Sequence, residues 1–178
     1  MTEQVIIAGF GGQGVISTGM TLAHAGMNEG KEVSWFPSYG AEMRGGTANC
    51  CVVVSDEKVA SPIVNFADTV IVMNKPSLIK FESRVRPGGK LFINSSLIDQ
   101  KASRDDIEVY YVPVNEIAAK LGNTRVIGMV MMGAYLKVTD LVKPETMVKS
   151  LGYVLGEKKK GLIPINEKAL AEGGKVEL

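Results

Sequence analysis

Glycines 9, 11 and 14, with Gly12 and Gln13 between them, have the types and spacing to hold an anion. In the stretch Gly9-Phe10-Gly11-Gly12-Gln13-Gly14 they form the pattern G-x-G-x-x-G. One glycine lets a chain turn sharply, a second lets a phosphate approach the backbone, and a third lets the next helix pack close to the strand. The N–H groups at the start of that helix then face the anion, with the helix dipole behind them. Gly9, Gly11, Gly12, Gln13 and Gly14 are therefore candidate contacts for a phosphate-bearing ligand or for a partner's backbone. The same residues also satisfy a plain strand-to-helix turn, and a turn alone does not make a site.

A second stretch, Pro37-Ser38-Tyr39-Gly40-Ala41-Glu42-Met43-Arg44-Gly45-Gly46, gathers a phenol, a carboxylate and a guanidinium among glycines. It is longer than most connections in compact domains, which favours a functional role. Arg44 either pairs with Glu42 or binds a phosphate or carboxylate bidentately, for which its fork is shaped.

The remaining chemistry-bearing residues are few. His24 stands between Ala23 and Ala25 with no acid–base partner indicated, and reads as a surface or packed histidine. Cys50 and Cys51 are adjacent in an apolar run, so a strand would point them to opposite faces. That makes a poor disulfide or metal pair and suits a reducing compartment. Iron–sulfur clusters usually need four cysteines, and no zinc-ligand spacing, Ser-His-Asp set or G-x-S-x-G elbow is present. The sequence thus nominates no catalytic residue and no metal ligand of its own.

The elements that must position the two stretches follow from periodicity. Val5-Ile6-Ile7-Ala8 is an apolar run that reads as a buried strand, and Val15 to Asn28 reads as a helix with Ile16, Met20, Ala23 and Met27 on one face, ended by Gly30. Glu32 to Phe36 is a second strand and Thr47 to Val54 a third, joined without a crossover helix and so paired antiparallel. Further strands fall at Thr69 to Met73, Leu91 to Ile93 and Glu108 to Val112. Pro87-Gly88-Gly89 reads as a turn. Helices are expected after Pro76, over Val114 to Leu121, from Asn123 or Thr124 to about Leu136, after Pro144, and over Asn166 to Ala171. The stretch 125–136 is apolar nearly all round, so it lies in a core or under a partner. Residues 173–178 read as a loose tail.

Strands alternating with helices give an α/β fold, a three-layer Rossmann-like domain with a mostly parallel sheet and an antiparallel hairpin at one edge. Ligands on such sheets sit beyond the carboxyl ends of the strands, where both notable stretches should fall. A dinucleotide-binding unit usually carries an Asp or Glu at the end of its second strand for the ribose hydroxyls. Here Ser34-Trp35-Phe36-Pro37 offers none.

The length of 178 residues fits one domain, 1–178. With 46% hydrophobic and 22% charged residues and a net charge of +1, the chain has neither a nucleic-acid footprint nor an acidic tail. No apolar run approaches the roughly 20 residues of a membrane span, and Met1-Thr2-Glu3-Gln4 lacks the basic start of a signal peptide. A cytoplasmic protein is expected.

The glycine stretch through Val15, together with Ser34-Trp35-Phe36-Pro37-Ser38-Tyr39-Gly40-Ala41-Glu42-Met43-Arg44-Gly45-Gly46-Thr47-Ala48-Asn49, resembles the gamma subunit of the 2-oxoacid:ferredoxin oxidoreductases. The likeness runs over essentially the whole chain, Ser61-Pro62 and Pro87-Gly88-Gly89 included, and is greatest for the 2-oxoglutarate and branched-chain types. It implies an enzyme complex that oxidatively decarboxylates a 2-oxoacid, 2-oxoglutarate favoured over pyruvate or ketoisovalerate, to an acyl-CoA with reduction of ferredoxin. It implies alpha, beta and ferredoxin-like delta partners that carry thiamine diphosphate, Mg and iron–sulfur clusters, with no cofactor held by this chain. It also implies coenzyme A contacts by Gly9, Gly11, Gly12, Gln13, Gly14 and Arg44. Ser38, Tyr39, Gly40, Glu42, Arg44, Gly45 and Gly46 would meet the partner subunits. An isolated chain would form a homodimer if the 125–136 helix were exposed. The alternative is a stand-alone NAD- or FAD-binding protein.

Overall fold

Alternation along the central strands divides the core in two. In β1 (Thr2–Phe10), Val5 and Ile7 point to one face of the sheet and Ile6 and Ala8 to the other, all buried. A strand buried on both faces must be covered on both, which requires three layers. In a computed structural model, which describes residues 1–40 and 46–178, α1 (Val15–Asn28) follows β1, and the long strands β2 (Glu32–Tyr39) and β3 (Thr47–Ser55) come next. Then come β4 (Ala67–Val72), α2 (Lys75–Phe81), β5 (Val85–Asn94), β6 (Glu108–Val112) and α3 (Val114–Lys120). The chain closes with α4 (Ile127–Thr139), α5 (Pro144–Leu155) and α6 (Ile163–Gly174).

The six strands lie in the order β2-β3-β1-β4-β5-β6. Pairs β1–β4, β4–β5 and β5–β6 are parallel, while β3 runs antiparallel to both β1 and β2. The expected edge hairpin is present, with β2 outermost. Helices α1, α3, α4, α5 and α6 contribute to the core on one face, and α2 to the core on the other. Cys50 belongs to the first core and Cys51 packs against the second, as alternation requires.

Several boundaries differ from the sequence expectation, each for a physical reason. Strand β2 runs on through Pro37 to Tyr39, because an edge strand tolerates a proline that cannot donate to the ladder. The 37–46 connection is correspondingly shorter. Pro87-Gly88-Gly89 does not end a strand; it is an irregularity within β5, where the register with β4 shifts and Gly88 takes φ 73°. The helix that carries Pro76 ends at Phe81, and Val85 opens β5.

The inward face of α1 only partly follows the apolar spacing: Ala23 is buried and Ile16 packs against the core, but the face is rotated so that Met27 leaves it. Val15 and Leu22 are buried, while Met27 is 56% exposed. Gly19 and Gly26 lie on the buried side, where a Cβ at Gly26 would stand 2.9 Å from Val33 Cγ1 and one at Gly19 would collide with Cys50 Sγ. The small residues let α1 approach the β2–β3 hairpin closely, while Met27 turns outward and Met20 is half-buried. Glycines serve the C-terminal helix similarly. The tail is not loose at 173–174: α6 extends to Gly174, and a Cβ on Gly173 or Gly133 would strike the backbone carbonyl of Val130 or Leu170. Helix α4 is core, with Met129 to Leu136 all buried. It offers no apolar surface for self-association.

Candidate functional site

The carboxyl ends of β1, β4 and β5 form one edge, and buried amides stitch it together. Gln13 Oε1 accepts from Phe10 N at 2.7 Å, and Gln13 Nε2 donates to Met73 O at 3.2 Å. Asn74 Oδ1 caps α2 by accepting from Ser77 N at 2.9 Å, while its Nδ2 reaches Gln13 Oε1 at 3.4 Å. Asn94 Nδ2 donates to Met73 O at 3.2 Å and to Asn115 Oδ1 at 2.8 Å. Asn74 and Asn94 are buried, so these bonds satisfy groups that would otherwise be costly. Reading by motif missed both asparagines. The available signal is an amide that directly follows an apolar strand run, as in Val70-Ile71-Val72-Met73-Asn74 and Leu91-Phe92-Ile93-Asn94.

The glycine stretch turns on this frame. Gly9 has no room for a side chain, because a Cβ would lie 2.6 Å from Gln13 Oε1 and 2.8 Å from Val15 Cγ2. Gly12 and Gly14 take φ values of 97° and 74°, the left-handed region that favours glycine. Gly14 is the N-cap of α1 and has no side chain to satisfy the first turn. The first amide of α1 to find a carbonyl is Thr18 N, on Gly14 O at 2.8 Å. Among the described residues the N–H groups of Gly12, Gly14, Val15, Ile16 and Ser17 have no backbone acceptor, and these are the donors left to an anion. Gln13 is committed to the fold through its side chain and through its own N–H, which donates to Phe10 O at 3.1 Å. Gly11 N donates to Gly46 O at 2.8 Å. This bond joins the two notable stretches at one place.

Tyr39 at the end of β2 is 58% exposed, and Ser38 and Gly40 are exposed beside it. Glu42, Arg44 and Gly45 lie outside the described residues. A groove of about 510 Å³ opens between the glycine turn, α1 and the hairpin end, lined by Gly11, Gly12, Ile16, Met20, Tyr39 and Val154 among others. Its walls are mainly apolar and its upper rim is the donor-rich turn. Such a shape takes a ligand with an anionic part and an uncharged part.

His24 stacks on Tyr153 with ring centroids 5.7 Å apart. Burial raises the thiol pKa of Cys50 to about 12, so it is not a nucleophile at neutral pH. Among the described residues no group of three or more His, Cys, Asp or Glu side chains could hold a metal ion, and no helix is long and apolar enough to cross a membrane.

The class is thus an α/β domain with an anion-facing glycine turn at the carboxyl edge of its sheet. The chain belongs to the pyruvate ferredoxin/flavodoxin oxidoreductase family, whose model matches residues 4–176. It is 40% identical over 172 residues to the ketoisovalerate oxidoreductase subunit VorA of Methanothermobacter marburgensis, covering 96% of this chain and 35% of that protein. The chain therefore spans about a third of the length of that relative. It is 30% identical over 179 residues to the 2-oxoglutarate synthase subunit KorC of Methanocaldococcus jannaschii, covering 99% of this chain and 94% of the relative. Its fold matches the crystal structure of the keto/oxoacid ferredoxin oxidoreductase gamma subunit from Geobacter sulfurreducens with a TM-score of 0.81 and 25% identity, over 96% of this chain and 95% of that one.

Proposed function

We propose that residues 1–178 act as one gamma-type domain, the gamma subunit of a cytoplasmic 2-oxoacid:ferredoxin oxidoreductase. The complex decarboxylates a 2-oxoacid oxidatively, passes the acyl group to coenzyme A and reduces ferredoxin. Thiamine diphosphate, Mg and the iron–sulfur clusters sit on its alpha, beta and ferredoxin-like delta partners. The observation that carries this reading is the family match across nearly the whole chain, together with a KorC relative 30% identical over 99% of it. Likeness to KorC relatives favours 2-oxoglutarate as the substrate. The higher identity to the VorA relative favours ketoisovalerate as the second reading.

In this reading Gly12, Gly14 and the first turn of α1 present N–H groups to the phosphates of coenzyme A, Gly11 lets the ligand approach the backbone, and Arg44 adds a charge-assisted contact. Gly9 and Gln13 hold the turn in shape, and the apolar groove receives the uncharged arm. Ser38, Tyr39, Gly40, Glu42, Gly45 and Gly46 meet the neighbouring subunits. A stand-alone dinucleotide-binding role is disfavoured by geometry. Strand β3 separates β2 from β1, and β2 ends in Ser38-Tyr39 with no carboxylate for a ribose.

The test is a reconstituted complex assayed for dye reduction with 2-oxoglutarate and with 2-oxoisovalerate, with Arg44→Ala in parallel. The expected result is one preferred oxoacid, and in the variant an intact complex whose KM for coenzyme A rises about tenfold, the loss of one charge-assisted contact. An intact variant complex with an unchanged KM removes Arg44 from the coenzyme A site. Loss of assembly assigns it to the subunit interface instead.

A further inference from the structure

The sheet face opposite α1 is thinly covered. Among the α-helices only α2 contributes to its core, and beside β3 the cover is Val64 of the connector between β3 and β4. Cys51 packs toward this face. Burial raises its thiol pKa, against the opposing effects of the Val64 backbone and of Arg84, which places all three together. Phe36 stands directly across from Cys51 in the β2–β3 ladder, so the two side chains share a face, and Phe36 is 48% exposed. In the connector, Ser61 Oγ accepts from Ile63 N at 3.1 Å. That local turn leaves Val64 in the core, while Ile63 and Phe66 on either side of it are 62% and 59% exposed.

Two cations stand at the rim of this apolar patch. Lys80 Nζ and Arg84 Cζ each lie 5.3 Å from the centre of the Phe81 ring, which is buried and holds them in place from below. Both cations are exposed, and among the described residues neither forms an ion pair. The one carboxylate in the segment 75–86 is that of Glu82. It is turned inward, accepting from Ser103 N, Ser103 Oγ and Arg104 N. Single apolar residues on a surface need no explanation, but apolar side chains gathered on one face with charges at the rim mark an interaction site.

We propose that the face formed by Phe36, Ile63, Phe66, Lys80 and Arg84 docks a neighbouring subunit whose surface is apolar at its centre and carries carboxylates opposite the two cations. The inference rests on the reading of the chain as a gamma subunit and extends the interface proposed at Ser38 and Tyr39, two and three residues beyond Phe36 on β2. Charge selects the occupant. A second copy packed about a two-fold axis would bring the same cations together, which costs affinity. A membrane or a nucleic acid calls for a wider field of cations, and the net charge of the chain is only +1. A protein surface with two or more carboxylates around an apolar anchor satisfies both the cations and the exposed rings.

The experiment titrates the remaining subunits, purified from native cells as a subcomplex, with the full-length chain by biolayer interferometry at several salt concentrations. Wild-type binding is expected to weaken as salt rises. The double reversal Lys80→Glu and Arg84→Glu should weaken it about tenfold or more and remove most of the salt dependence. Phe66→Gln should weaken it about tenfold while keeping the salt dependence. Lys168→Glu, exposed on α6 over the other sheet face, should change neither. The altered side chains are at the surface, so the variants keep the fold, which circular dichroism verifies. Wild-type binding that both variants leave unchanged overturns this inference and leaves the gamma-subunit reading standing. Absence of any wild-type binding overturns that reading and the inference with it. Self-association of the chain in sedimentation, abolished by the double reversal, would give the face to a second copy and overturn the proposal.

Discussion

The side-chain amide of Gln13 ties the turn after β1 to the end of β4, beside the backbone bond from Met73 N to Ala8 O. It accepts from Phe10 N and donates to Met73 O. Truncation by Gln13→Ala strips an acceptor from a part-buried backbone N–H, which costs about 1–3 kcal/mol. A urea unfolding midpoint lowered with an unchanged slope is the expected reading. At the opposite end of the sheet, Glu3 Oε1 accepts from Thr69 Oγ1 at 2.7 Å and from Tyr135 OH at 3.5 Å. Burial raises its pKa above 4.5, against the lowering effect of the Thr69 hydrogen bond. The folded chain therefore holds this proton more tightly than the unfolded chain, and the stabilisation is present below the ordinary carboxyl pKa and lost as pH rises through the folded value. Unfolding free energies of wild type and Glu3→Gln between about pH 4 and pH 7 should diverge in favour of the variant as pH rises. A constant difference across that range would show that Glu3 does not titrate in this window.

At the scale of elements, glycines decide how closely layers approach. Gly133 on α4 and Gly173 on α6 face each other's backbones, and a methyl at either would meet a carbonyl that cannot move aside. Gly133→Ala is expected to destabilise by about 1–3 kcal/mol, the usual cost of overpacking, or more. Gly152 in α5 meets nothing within 4 Å of an added Cβ, so Gly152→Ala should stabilise by about 0.5–1 kcal/mol through helix propensity. Thermal unfolding of the pair checks both signs at once. The same glycines show what the sequence made legible. Strand positions, the antiparallel hairpin and the helix starts at Pro76 and Pro144 follow from alternation, apolar runs and proline placement, because these are local. The inward face of α1 follows only in part, since Gly19 and Gly26 are drawn in by the fit against β3 while Met27 looks apolar in isolation. The end of α6 was hidden for the same reason. Gly173 and Gly174 resemble a tail until α4 stands beside them. At the site, the glycine turn was legible from spacing, whereas the Asn74–Asn94 network required knowing which strands are neighbours.

At the scale of the whole molecule, the two faces of the chain are unequal. One sheet face carries five of the helices, the buried α4 among them, and the carboxyl edge of the sheet carries the glycine turn, the exposed Tyr39 and the apolar groove beside α1. A chain with a donor-rich edge, whose relatives are subunits of oxidoreductases, is suited to act within a complex. Helix α4 is internal, and the proposed assembly uses the carboxyl edge and the β2 side instead. Phe36 and Tyr39, both exposed on β2, are the residues expected to become protected there. Hydrogen exchange over residues 32–40 should slow when partner subunits are added, while α4 remains unchanged.

The most direct measurement is purification of the tagged chain from its native cells, followed by an assay of dye reduction dependent on coenzyme A with several 2-oxoacids. The account predicts co-elution of larger thiamine- and iron–sulfur-containing subunits with activity on 2-oxoglutarate or 2-oxoisovalerate. Recovery of this chain alone, with no partner and no oxoacid-dependent activity, would contradict it.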